Sequence, residues 1–394
     1  MHQPLIRLGF GIVALALLGA PQAVATEPLS ASTADAMAQG ASPQAIAEYR
    51  RKLGEYQAAR AEFEEVAGPY WASITEKRRG RNAKRRDRQQ ITLDDYVLTH
   101  PPLYTGPKRP IDPEPQDDGK PRERKAIPVV SDLLQAAAQE FQFTPQRPAS
   151  EMEFKRAYAR YALASGLTRE QAVRVYSFET GGTGNYDVQA GIEHGGKRAI
   201  STAMGYNQLL TTNSVELMAE QGREFVKELT AKAASLSGPA RKAMDHKLAV
   251  LKKMVAFTLT VPDDWSAHEK LANTAQGWAV HAMVLDIDVG PMLQTHKLLT
   301  SVIFARAKGY NRPLTAAELE MMNLTGDGTG LDMVTMPQAM REQVPTSNFF
   351  QRGGYERNPV AIRHNTVAKL LAVTDERMDS NSNKPGAKEL AAAF

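Results

Sequence analysis

Residues Val173–Leu210 read VRVYSFETGGTGNYDVQAGIEHGGKRAISTAMGYNQLL. Thr168, with Glu170 in the first turn, opens a helix that reaches Phe178-Glu179-Thr180 and stops at Gly181, the usual glycine position after a helix C-terminus. A small-residue turn ending in Gly205-Tyr206-Asn207-Gln208 then opens a second helix. A carboxyl group preceded by Val175, Tyr176 and Phe178 sits where desolvation disfavours its charged form, which keeps it a proton donor near neutrality. That is the requirement for a general acid. Most glutamates near helix ends are ordinary solvated residues, so the local pattern leaves both readings of Glu179 open.

Outward from this stretch the pattern is helical and local. Ser131 caps a helix to Phe141, Ser150 begins another through Ala164, and Gly166 ends it. Val215–Leu259 reads as two long charged helices separated near Ser237-Gly238-Pro239, and Leu314-Thr315 opens a helix through Met322 that ends in the turn Asn323–Gly330. Residues 129–378 are therefore expected to form a mainly α domain, with a small polar, mobile tail over 379–394.

Trp265 and Trp278 are expected in the core, and Ser347–Asn358 mixes aromatic faces, amides and a guanidinium, a composition suited to a sugar's apolar faces and hydroxyl edges. The sequence has no cysteine, which excludes disulfides, thiolate metal sites and a cysteine nucleophile. His281 and His296 lack a neighbouring carboxylate motif, so no metal site is expected. Asp327 and Asp332 lack the spacing of a calcium loop. Gly182-Thr183-Gly184 lacks the strand and the Lys-Ser/Thr pair of a phosphate cradle.

The N-terminal part differs in character. Arg7, the apolar run Leu8–Ala20 and Ala23-Val24-Ala25 read as a removable signal over residues 1–25, which gives an expectation of a soluble periplasmic product with no membrane-spanning segment. Residues 26–128 form an N-terminal arm. Pro43 starts an amphipathic helix over 43–67, with Ile46, Tyr49, Leu53, Tyr56 and Phe63 at helical spacing, stopping near Gly68-Pro69. The basic block 77–88, KRRGRNAKRRDR, is either a solvated charged helix or linker, or a surface for an anionic envelope polymer or a protein complex. No aromatic residue interleaves with its arginines, and nucleic acid is not expected as a partner. Residues 101–128 hold eight prolines and read as an extended connector, with the domain boundary at its end.

Four short segments, in order, resemble the catalytic core of the soluble lytic transglycosylases, relatives of goose-type lysozyme. They are Glu179-Thr180, the run Ala199–Leu209 with Gly205-Tyr206-Asn207-Gln208, the segment Asp286–Leu293, and Ala316–Gly326. The resemblance implies an α+β lysozyme-like fold with a short hairpin beside the sugar cleft. It implies peptidoglycan glycan strands as substrate and no cofactor. Glu179 would first protonate the bridging oxygen between N-acetylmuramic acid and N-acetylglucosamine, then take the proton from the C6 hydroxyl as a 1,6-anhydro ring closes. Thr180, Tyr206, Asn207, Gln208, Asn323 and Tyr355 are the residues expected to contact substrate. Met322 stands where the family has a tyrosine beside the acid, and Tyr355, Tyr310 or Tyr206 is expected to replace it. Thr180 replaces the family serine and keeps its hydroxyl. No second carboxylate is fixed by motif, since Asp187 and Glu193 fall in the glycine-rich loop. A water-using muramidase on the same fold, or an envelope-binding scaffold with a degenerate cleft, remain alternatives.

Overall fold

Local capping chemistry sets most of the helix boundaries. The computed structural model describes residues 42–113, 127–192 and 198–394. The signal reading, residues 26–41 of the arm, part of the connector over 101–128, and Glu193 fall outside these residues. Of the described residues, 42–61 and 105–113 belong to one unit, and 62–104, 127–192 and 198–394 to a second, larger one. The fold is mainly α, with strand reduced to isolated bridges among the described residues. No described helix is long and apolar enough to cross a membrane.

Helix α1 spans Pro43–Arg86 and does not stop at Gly68-Pro69. A proline inside a helix loses one backbone bond, but residues beyond it are fastened by tertiary contacts. Ala67, Trp71, Ile74 and Arg81 are buried at successive helical intervals, and Trp71 packs edge-on against Tyr355. The basic block is the last turns of this helix and is largely spent on the fold. Arg81, 1% exposed, binds Asp332 (3.1 Å) and donates to the carbonyls of Asp95 (2.9 Å) and Asn348 (3.2 Å). Arg78 donates to the Phe350 carbonyl, Lys84 pairs with Asp95, and Arg85 joins Arg81 on Asp332. Residues 62–104 thus belong to the larger unit, and the boundary expected at 128 is displaced.

The rest of that unit is a succession of helices: α2 (Val130–Phe141), α3 (Glu151–Ser165), α4 (Arg169–Glu179), α5 (Thr211–Ala234), α6 (Gly238–Thr258), α7 (Trp265–Ala272), α8 (Ala275–Ala282) and α9 (Val289–Ala307). Then come α10 (Ala316–Thr325), α11 (Asp327–Thr335), the short α12 (Gln338–Arg341), α13 (Arg352–Glu356) and α14 (Pro359–Arg363), and finally α15 (Val367–Ser382) and α16 (Pro385–Ala393). α5 and α6 pack together as the expected helical pair.

Helix α9 is buried along almost its whole length, as expected for a helix apolar on nearly every face, and contacts α3, α5 and α10. Its start is fixed by Asp286, wholly buried, which accepts from Val289 N and pairs with Lys247 (2.9 Å). Between α4 and α5 the chain makes a rudimentary hairpin. Ala190 N donates to Ala203 O and Gly205 N to Val188 O, with bridges Gln189–Met204 and Met204–Leu209.

The C-terminal segment is ordered helix, not a mobile tail. Ala387 and Leu390 are fully buried, Ala387 N donates to Gly182 O, and Glu389 pairs with the buried Lys155. Small residues permit the approach: a Cβ at Gly182 would lie 2.2 Å from Asn381 O, and one at Gly386 would lie 2.5 Å from the Tyr176 hydroxyl. A composition that suggested disorder here serves close packing.

Candidate functional site

Helix α4 is built to end at Glu179. Its N-terminus is a reciprocal capping box, in which Thr168 Oγ1 accepts from Gln171 N and Gln171 Oε1 accepts from Thr168 N. Ala172, Val175 and Tyr176 are fully buried and seat the helix against α10, α15 and α16. Thr180 is the C-cap, and Gly181 and Gly182 follow at φ +65° and +76°, a region that favours glycine. Glu179 is the last helical residue, at the negative end of the helix dipole, where a carboxylate is disfavoured.

Its neighbour is a second carboxyl group. α10 starts at another capping box, Thr315 with Glu318, and packs on α4. Gly330 of α11 approaches so closely that a Cβ there would lie 2.4 Å from Met322 Cα. This arrangement places Glu320, 0% exposed, in hydrogen-bonding contact with Glu179. Burial pushes the Glu179 carboxyl up to about 7, against the opposing pull of Lys297, the Glu320 hydrogen bond and Arg377. Burial and then the charge of Glu179 hold Glu320 well above the usual carboxylate range, with Lys297 and Asn323 opposing. Neither Glu320 oxygen meets a donor in well-formed hydrogen-bond geometry. Two ionised carboxylates cannot hydrogen-bond to each other, so the contact requires a proton on at least one of them.

Residues adjoining the pair line two cavities. The first, of about 450 Å³, is lined by Glu216, Glu220, Trp265, Lys297, Asn323 and Asp327 among others. Trp265 is 45% exposed and presents its ring to this space, contrary to the expectation that it is core. Lys297 projects from the otherwise buried α9 and makes no ion pair within reach of a carboxylate among the described residues, although its charge acts on Glu179, Glu320, Glu216 and Asp327. The second cavity, of about 460 Å³, is lined by Thr180, Thr183, Asn185, Asp187 and Gln189. Glu179 and Glu320 line neither cavity; the charge of Lys297, in the first, acts on both carboxyls, and Thr180, next to Glu179 in sequence, lines the second.

The residues expected to contact substrate divide into three groups. Asn323 lies at the wall of the first cavity with its amide atoms out of solvent and acting on Glu320, and Thr180 lies at the wall of the second with its hydroxyl bonded to Tyr176 O. Gln208 is half-buried at φ +44°, and its amide donates to Gly205 O (2.9 Å) and Val188 O (3.4 Å). Tyr206 and Asn207 are buried and committed to the core. The Tyr206 hydroxyl donates to Glu151, and Asn207 donates to Tyr158 (3.1 Å) and to Gln294 O (2.7 Å).

The glycine before them serves the same packing, because a Cβ at Gly205 would lie 2.0 Å from Gln294 Nε2. Tyr355, 2% exposed, packs on Trp71 and Phe350 and lines neither cavity. None of Tyr206, Tyr310 or Tyr355 acts on Glu179; the group beside it is Glu320. His281 and His296 are core residues held neutral by burial, pushed down to about 4. His281 bridges Ser214 Oγ and Thr202 O, and His296 meets the Tyr161 hydroxyl.

No family model, curated protein or solved structure matches this chain. The chemistry of the site is therefore argued from its own residues. Glu320, Lys297 and Trp265 are the members that sequence reading missed. Glu320 sits two residues before Met322 in a segment read for its small residues, and only the packing of α10 on α4 pairs it with Glu179.

Proposed function

We propose that the chain is a peptidoglycan lytic transglycosylase, with Glu179 as acid and then base. The observation that carries this reading is a carboxyl group held near neutrality by burial at a helix end, next in sequence to Thr180 of one cavity and acted on by Lys297 of another, which Trp265 also lines. A proton donor for a glycosidic oxygen needs to be protonated at working pH, and a group raised to about 7 is partly so. The exposed Trp265 offers a flat apolar face for a sugar ring.

The second carboxyl argues for this chemistry over water-using hydrolysis. Retaining glycosidases hold their two carboxyl groups about 5–5.5 Å apart and inverting ones about 6.5–9.5 Å apart. Glu320 lies wholly out of water and bears directly on Glu179, so it is not placed to activate a water or to meet an anomeric carbon. One carboxyl is then left to act on the substrate. Glu179 gives its proton to the departing O4, which breaks the C1–O4 bond; the C6 hydroxyl attacks C1 and returns its proton to Glu179. The lysozyme-like relation and a periplasmic setting belong to the same proposal. Digestion of purified peptidoglycan followed by mass analysis tests it. Anhydro-ended fragments that disappear in Glu179→Gln support the reading, and hydrated ends or no cleavage oppose it.

A further inference from the structure

We propose that Glu320 is a positioning residue that keeps its proton throughout the reaction and donates its carboxyl O–H to the Glu179 carboxylate. The assignment rests on the proposed role of Glu179, but its physical part stands on the packing alone. Glu320 is fully buried, and neither of its oxygens meets a donor in well-formed hydrogen-bond geometry, the Asn323 amide being the one neutral donor that acts on it. Such a group costs several kcal/mol to ionise in place. The charged and polar groups that face the pair divide unequally. Lys297 of α9 acts on both carboxyls, Asn323 on Glu320, and Arg377 of α15 on Glu179. Asp327 of α11 is turned toward Lys297 and partly offsets it. Glu179 also retains some exposed surface, whereas Glu320 has none. Negative charge settles on Glu179, where Arg377 and water add to Lys297, and the proton stays on Glu320, which they do not reach.

This arrangement has a catalytic consequence. While Glu179 is neutral, its own proton is free to go to the leaving O4. When that proton departs, the new carboxylate accepts the Glu320 O–H, a bond between acid and anion that is stronger than the neutral pair it replaces. Stabilisation thus appears as charge develops, which is the condition for it to speed the step.

The test uses the full chain and two readouts. Infrared difference spectra at about pH 8, above the Glu179 midpoint, report protonated carboxyls directly. A protonated-carboxyl band is expected in the wild type, retained in Glu179→Gln and lost in Glu320→Gln; its absence from the wild type overturns the proposal. The second readout is the basic limb of anhydro-sugar release. Glu320→Gln keeps a donor and is expected to hold the rate within roughly threefold with the limb unmoved, while Glu320→Leu is expected to lose roughly tenfold or more and move the limb up about one unit, because the Glu179 anion loses its donor. A limb that moves down in Glu320→Gln means that a negative charge was removed, and the proposal fails. If the wild type releases no anhydro sugar, the functional reading fails while the infrared result still decides the protonation of Glu320.

Discussion

Replacing Asp332 by alanine should detach the end of α1 from the larger unit. The Asp332 carboxylate holds both Arg81 (3.1 Å) and Arg85 (2.5 Å) and lies almost wholly out of water, as does Arg81. Removing one partner of a buried pair costs about 3–5 kcal/mol, because the other charge is left uncompensated. Arg81 would keep two carbonyl acceptors and the Tyr96 ring at 4.3 Å, and Arg85 can return to solvent, so the lower end applies, about 3 kcal/mol. Unfolding entropy is about 2.1 cal/mol/K per residue, so for a unit of roughly 300 residues the loss corresponds to about 5 °C in Tm. Urea and thermal melts of Asp332→Ala measure it, with exposed Arg86→Ala as a control expected within about 0.5 kcal/mol of wild type. If Asp332→Ala also melts within about 0.5 kcal/mol of wild type, the basic block is not anchored as described.

Other outcomes follow from the site. Glu179 is raised from 4.5 to about 7, so its contribution to stability is fully present below about 4.5 and lost as pH rises through 7, and Glu179→Gln should be more stable than wild type at pH 8 by about 1–3 kcal/mol in urea melts. His281 is lowered from 6.5 to about 4, so its contribution is present above 6.5 and lost as pH falls toward 4; the acid-side loss of stability should be shallower in His281→Gln, read from Tm against pH. Trp265→Ala should leave Tm within about 1 °C but weaken glycan binding about three- to tenfold by calorimetry, since its ring is exposed and unneeded by the core.

Much of the helical skeleton was legible because caps and glycines state their own positions. Thr168, Gly181 and Thr315 mark ends that the structure keeps. The end of α1 was not legible, because Gly68-Pro69 is a local stop signal overridden by contacts at Trp71, Ile74 and Arg81 from residues far along the chain. Arginines that compose a polycation on paper are separately consumed by Asp332, Asn348 and Phe350, partners that sequence distance conceals. The same holds at the site. Glu179 could be singled out from the apolar residues before it, whereas Glu320 depends on how α10 lies on α4. Tyr206 and Asn207, which resemble substrate-contacting positions, are drawn inward by Glu151 and Gln294. Trp265 was assigned to the core on general grounds, and its place at the start of α7 turns it into the first cavity.

In the proposed reaction one protonated side chain, Glu179, acts twice without water. Its most direct measurement is digestion of purified peptidoglycan in isotopically heavy water, with fragments weighed by mass spectrometry. The prediction is 1,6-anhydro ends carrying no solvent oxygen, abolished in Glu179→Gln and retained in Trp265→Ala at a reduced rate. Reducing ends that carry the heavy oxygen, or anhydro ends undiminished in Glu179→Gln, would contradict it.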